Sequence, residues 1–256
     1  MSNDLLIYED DWQHLRQFTP ARIALGRSGM SLPTRACLEF SLAHAMARDA
    51  VTVPINFEPI AQSLVSLDEK TVVLHSQAEN QNTYLKRPDL GRLLNEQAYI
   101  ALQDNSLSPV DIVIVVADGL SSSAIKHHAV PFLQLLIPHL REKEYAMPPI
   151  CLVKHGRVAI GDSIAQYYSA RLCVVLIGER PGLSSPNSMG IYFTYKATKG
   201  STDADRNCIS NIHLQGLSYN EALTKLLYLI DESEKLQFSG VNLKDESTNN
   251  QLNYGF

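Results

Sequence analysis

Three short apolar runs constrain this chain more than anything else in it: Ile112–Ala117, Ile150–Lys154 and residues 172–177. Each is nearly continuous in β-branched and aliphatic residues, and each stops abruptly at a polar turn. Such runs read as strands buried on both faces. Helical segments separate them, and strands alternating with helices predict a parallel sheet with right-handed crossovers. The expected fold is α/β, a Rossmann-like parallel sheet with flanking helices, preceded by a smaller, mostly helical N-terminal region. The expected division is 1–105 for the N-terminal region, 106–240 for the sheet domain and 241–256 for a polar tail.

Local signals add detail. Pro33 suits the first turn of a helix whose apolar positions include Cys37, Leu38, Phe40, Leu42, Ala45 and Met46. Residues 71–75 form a short β-branched run, and Pro88 predicts a helix running towards Leu102. The turn at 118–123 is rich in cap residues. Pro131 should kink the helix that follows or divide it in two. Asp162 is expected to cap a helix through Tyr168. Residues 190–195 are a strand by aromatic and β-branched content, with a shorter one at 208–212. Ser218 and Glu221 spell a capping box before Leu223, Leu226, Leu227 and Ile230, which share one helical face.

Composition removes several classes of function. A net charge of −5 leaves no basic footprint for nucleic acid. The start of the chain lacks a basic n-region and a long apolar core, so no signal peptide is expected, and no run is long enough to span a membrane. Cys37, Cys151, Cys173 and Cys208 include no close pair, which argues against a zinc knuckle or a CxxC redox site. A soluble, cytoplasmic, reduced protein is expected.

Ligands of open α/β sheets collect beyond the carboxyl ends of the strands. Three loops leave the predicted strands there: 118–122, 155–158 and 178–183. A fourth polar segment, 203–212, lies just beyond. Together they offer carboxylates, guanidiniums, backbone amides and small hydroxyls, a mixture suited to a ligand with many amide and hydroxyl groups around an apolar body. Glu179 and Arg180 read equally well as ligand-facing groups or as solvated charges. Asp118 reads first as a turn residue, His155 as an ordinary loop histidine, and His127-His128 as solvated surface. Cys208 reads as a half-buried contact residue, since nothing in the sequence lowers its pKa. Arg206-Asn207 fits a partner or an internal carboxylate. No GxSxG, HExxH or phosphate loop occurs, so the crevice is better equipped to hold something than to transform it.

At these residues the chain resembles the small (light) subunit of ethanolamine ammonia-lyase. The matching blocks are ARIALGRSGMSLPTRACLEFSLAHAMARDAV, YLKRPDLGRLL, DIVIVVADGLSS, KHGRVAIGD, VLIGERPGLSSP, DADRNCISNIH and the closing LLYLI…SGVNLKD. GERPGL together with DRNCISNI is the specific combination.

The resemblance implies an adenosylcobalamin-dependent lyase that converts ethanolamine to acetaldehyde and ammonia by radical chemistry. The substrate site lies on a separate large subunit, and the enzyme is active only as a hetero-oligomer. The small subunit helps clasp cobalamin between the two chains. By motif, its cofactor contacts fall on Val158 (GRV), Glu179 (GERPGL) and Cys208 (CISNI), with no catalytic residue on this chain. None of the eight histidines follows an aspartate by two positions. That agrees with a base-on cofactor and implies no protein ligand to cobalt. Some relatives carry a longer leader linked to bacterial microcompartments; this chain begins shortly before ARIALGR, so residence there is left open. Two rival readings are a stand-alone α/β enzyme acting on a nucleotide or sugar phosphate, and an assembly factor that never touches cofactor.

Overall fold

The computed structural model describes residues 7–103 and 110–247. The start of the chain, the boundary expected at 105/106 and the last part of the polar tail lie outside these residues. Six strands form one sheet: β1 (Thr71–His75), β2 (Ile112–Ala117), β3 (Ile150–Lys154), β4 (Leu172–Gly178), β5 (Met189–Tyr195) and β6 (Arg206–Ile212). Their order is β1-β3-β2-β4-β5-β6. The first four in that order are parallel, but β5 is antiparallel to β4 and β6 to β5. The sheet is therefore mixed, which corrects the expectation of a parallel, Rossmann-like sheet. The reason lies in the connections. Residues 179–188 and 196–205 contain no α-helix, whereas a parallel crossover needs about a dozen residues or more, usually with a helix.

The helices are α1 (Thr34–Thr52), α2 (Glu58–Val65), α3 (Gln81–Lys86), α4 (Glu96–Gln103), α5 (Ser122–Glu142), α6 (Ile160–Tyr168) and α7 (Tyr219–Leu236). Alternation along the strands sorts their side chains onto two faces. Ile112, Ile114, Val116, Val174 and Leu176 pack under α2, α5 and α7. Val113, Val115, Cys173, Val175 and Ile177 pack under α4 and α6. Both faces of β2 and β4 are thus sealed, which accounts for their unbroken apolar sequence.

Several local expectations hold. The Ser218–Glu221 capping box opens α7, Ser121 caps α5, and α1 begins directly after Pro33. Others are corrected. The segment after Pro88 is a 3-10 turn, Leu90–Arg92; α4 starts later, where Asn95 Oδ1 accepts from the Ala98 N–H at 2.8 Å. Helix α5 runs undivided over 21 residues with Pro131 and Pro138 inside it. Ten of its residues are buried, and that packing holds the helix together across the two missing N–H groups. Asp162 lies inside the first turn of α6 rather than at its cap. Among the described residues, no helix is long and apolar enough to cross a membrane.

The N-terminal part packs loosely. Only Ala50 of α1 is buried, while Leu38, Phe40, Leu42 and Met46, whose spacing predicted the helix, face outward.

Candidate functional site

The three predicted loops meet because the middle one ties the others down. Asp118, at the end of β2, is buried, and its carboxylate accepts from the His155 N–H at 2.8 Å and the Gly156 N–H at 3.0 Å. On the other side the Leu120 N–H donates to Gly178 O at 2.9 Å, and Ser121 Oγ donates to Pro186 O at 2.9 Å. Gly119 has φ +62° and sits so close to β4 that a Cβ there would lie 2.2 Å from Gly178 O. Only glycine fits that turn. Asp118 is thus more than the turn residue the sequence suggested: it fixes the loop that leads to Val158.

Burial pushes the Asp118 carboxyl up to about 7 despite its backbone donors. Burial, with the charges of His75 and Lys154, pushes His155 down to about 4. His155 has φ +54°, and its Nδ1 is buried without a hydrogen bond, 3.6 Å from Asp118 Oδ2. It is a packed neutral ring edge-on to His75 and tilted against Tyr84. Tyr84 OH donates to Gly156 O at 3.0 Å and closes the same loop from α3.

Val158 is half-buried in the turn entering α6 and packs on the α6-side core. Glu179, directly after β4, is half-buried while Arg180 is exposed. Glu179 Oε2 accepts from Ser188 Oγ at 2.5 Å and from the Asn211 N–H at 3.1 Å. Oε1 accepts no hydrogen bond among the described residues. It lies over Gly190, where a Cβ would come within 2.9 Å of it. Gly190 therefore makes the space in which this carboxylate rests.

Cys208 is exposed rather than half-buried. It stands opposite Tyr192, which stands opposite Val175. This register puts Cys208 and Tyr192 on the face that carries α6, and the alternation of β4 directs Glu179 there too. Desolvation raises the Cys208 thiol, the Glu179 charge adds to that, and a hydrogen bond with Tyr192 opposes it. The thiol stays protonated at neutral pH, which disfavours nucleophilic chemistry.

Arg206 is buried, and its two terminal nitrogens meet Asp162 Oδ1 at 2.5 Å and Oδ2 at 2.8 Å. The internal carboxylate is the partner it takes, and the pair links the first turn of α6 to the start of β6. His128 corrects another expectation: it is buried, with Nδ1 2.6 Å from Tyr219 OH, while His127 remains exposed.

The result is a shelf on the α6 side of β4–β6. Its members are Val158, Glu179, Gly190, Tyr192 and Cys208, with Ser210 exposed on β6. Helices α5 and α7 cover the other face of β5 and β6. The shelf offers one free carboxylate oxygen, an aromatic ring and a strand face with small exposed side chains. It can hold a broad ligand bearing amide donors. Sequence reasoning missed Tyr192 and Gly190; both lie inside a strand, and only the β4–β5 register reveals which face they occupy.

Residues 9–244 match the family model for the ethanolamine ammonia-lyase light chain (EutC). An ethanolamine ammonia-lyase small subunit from Pseudomonas fluorescens (strain Pf0-1) is 52% identical over 242 residues, covering 93% of this chain and 88% of that one. The small subunit from Pseudomonas paraeruginosa (strain DSM 24068 / PA7) is 50% identical, covering 93% and 89%. That from Pseudomonas syringae pv. tomato is 50% identical over 244 residues, covering 94% and 85%.

Proposed function

Because the chain belongs to the ethanolamine ammonia-lyase light-chain family, we propose that its shelf forms half of an adenosylcobalamin site completed by a large subunit. The enzyme so formed is a lyase that deaminates ethanolamine to acetaldehyde and ammonia, with the substrate bound on the large subunit. When bound, adenosylcobalamin supplies a cobalt–carbon bond whose homolysis starts the radical chemistry.

The observation that carries the reading is the state of Glu179. Its Oε2 is fixed by two donors while Oε1 is left over a glycine, on the face of the sheet that carries α6. A corrin ring has a rim of primary amides, and a fixed carboxylate oxygen accepts from such donors with little loss of side-chain freedom. Val158 and Cys208 contribute apolar contact at the rim, and the Tyr192 ring supplies a flat surface. The cysteine acts by contact alone, since its thiol stays protonated. The chain's own work is to bind, orient and shield.

Substitution separates cofactor contact from internal support. Glu179→Gln, with its amide oxygen in the place of Oε2, keeps an acceptor for both the Ser188 hydroxyl and the Asn211 N–H, so the fold is retained. It replaces a charged acceptor by a neutral amide. In the complex reconstituted with the large subunit, Glu179→Ala should raise the cobalamin Kd by about tenfold and Glu179→Gln by less, with the ethanolamine KM unchanged. Unchanged cobalamin affinity in both variants would remove Glu179 from the site. Turnover of ethanolamine by this chain alone would overturn the division of labour.

A further inference from the structure

A cavity of about 640 Å³ opens where α1 and α2 meet the start of α5, on the other side of the sheet from the shelf. Its walls are mostly apolar, with Met46 from α1, Val53 just after it, Ile60 from α2 and Val130 from α5. At one end stands the first turn of α5, a helix of 21 residues, where the Ser122 and Ser123 N–H groups have no acceptor among the described residues. Such N–H groups and the positive end of the helix dipole favour an anion.

Two side chains point to the same occupant independently of the helix end. Ser122 is only 7% exposed and lines the cavity, yet its hydroxyl has no hydrogen-bond partner among the described residues. The hydroxyl faces the cavity, where an acceptor seated there can take its hydrogen bond. Lys126 stands one turn further along the same face of α5, exposed to the cavity and without an ion pair among the described residues. His127 Nδ1 is already engaged with Ser123 O at 2.7 Å. Asp49 lies on the α1 wall, so the cavity lining carries one positive and one negative side chain and disfavours a doubly charged ligand.

We propose that this cavity binds a monoanionic carboxylate on an apolar body. The carboxylate accepts from Ser122, from the first-turn amides of α5 and from Lys126; the apolar body lies against Met46, Val53 and Val130. A volume of this size suits a small organic molecule. Pro186 and Asn187 also line the cavity, and they belong to the loop between Glu179 and β5, so one loop connects the two sites while they share no residue. Nothing in the argument depends on cobalamin.

The test is calorimetric titration of the full chain with sodium octanoate, with n-octanol in parallel. Octanoate should bind saturably at one site and more tightly than the alcohol. Lys126→Met changes an exposed residue and should leave the fold intact while weakening octanoate by about tenfold, the usual scale of a lost charge-assisted bond. Ser122→Ala should weaken octanoate but not octanol. Equal affinity for octanol and octanoate would overturn the proposal, as would octanoate binding that neither substitution changes.

Discussion

Asp118 shows how one residue can do a job that its neighbours in sequence do not reveal. As a turn aspartate it needs only local context; as the acceptor of two N–H groups from the next strand's loop it needs the fold. Asp118→Asn keeps one acceptor oxygen but turns an amide towards the other N–H. The cost should be about 1–3 kcal/mol. The pH dependence is more diagnostic. Between about pH 4 and 6.5 the folded chain holds a proton on Asp118 and none on His155, and the unfolded chain holds the reverse. The two contributions cancel over that range. From there to about pH 7 the Asp118 contribution is lost as pH rises. In Asp118→Asn the His155 contribution stands alone, so the variant should gain stability as pH rises from about 4 to 6.5 relative to the parent. Urea unfolding at several pH values reads this directly. Parallel curves for the two proteins would mean that Asp118 is not the titrating group.

Among the elements, those with local causes were legible. Buried strands announced themselves as apolar runs, and the start of α7 as a capping box. The antiparallel turn of β5 and β6 was not legible, because direction is set by whether a crossover helix intervenes, not by the composition of the strand. Nor was the role of Asp162, whose partner Arg206 lies on another element. The convergence of the loops carrying Val158 and Glu179 was legible from the alternation of strands and helices, whereas the shared face of Glu179 and Cys208 required the register. The Asp162–Arg206 pair makes an element-level prediction. Arg206→Met leaves a buried carboxylate without its guanidinium and should cost about 3–5 kcal/mol. Combining it with Asp162→Leu should restore most of that, because the pair is then replaced by apolar volume. Thermal denaturation of the two variants decides it: if the double variant is as unstable as the single one, the pair is not the fastening between α6 and β6.

At the scale of the molecule, the two ends of the chain differ in how they meet water. The sheet buries its apolar residues, but α1 displays Leu38, Phe40, Leu42 and Met46. Apolar patches above a few hundred Å² are rare on monomers and mark contact surfaces. The isolated chain should therefore self-associate, and Leu38→Gln with Leu42→Glu, neighbours on one helical face, should lower that association at unchanged helix content. Light scattering with circular dichroism tests this; unchanged association would place the sticky surface elsewhere.

The clamp made by residues 118–121 carries a kinetic consequence. Because Asp118, Leu120 and Ser121 hold the turns on either side through bonds internal to the chain, this jaw is already set before anything enters it. Little ordering entropy then remains to be lost on closure. The lifetime of a captive cofactor would be governed by how readily the opposing polypeptide lets go, and this chain would behave as the fixed wall of the vice.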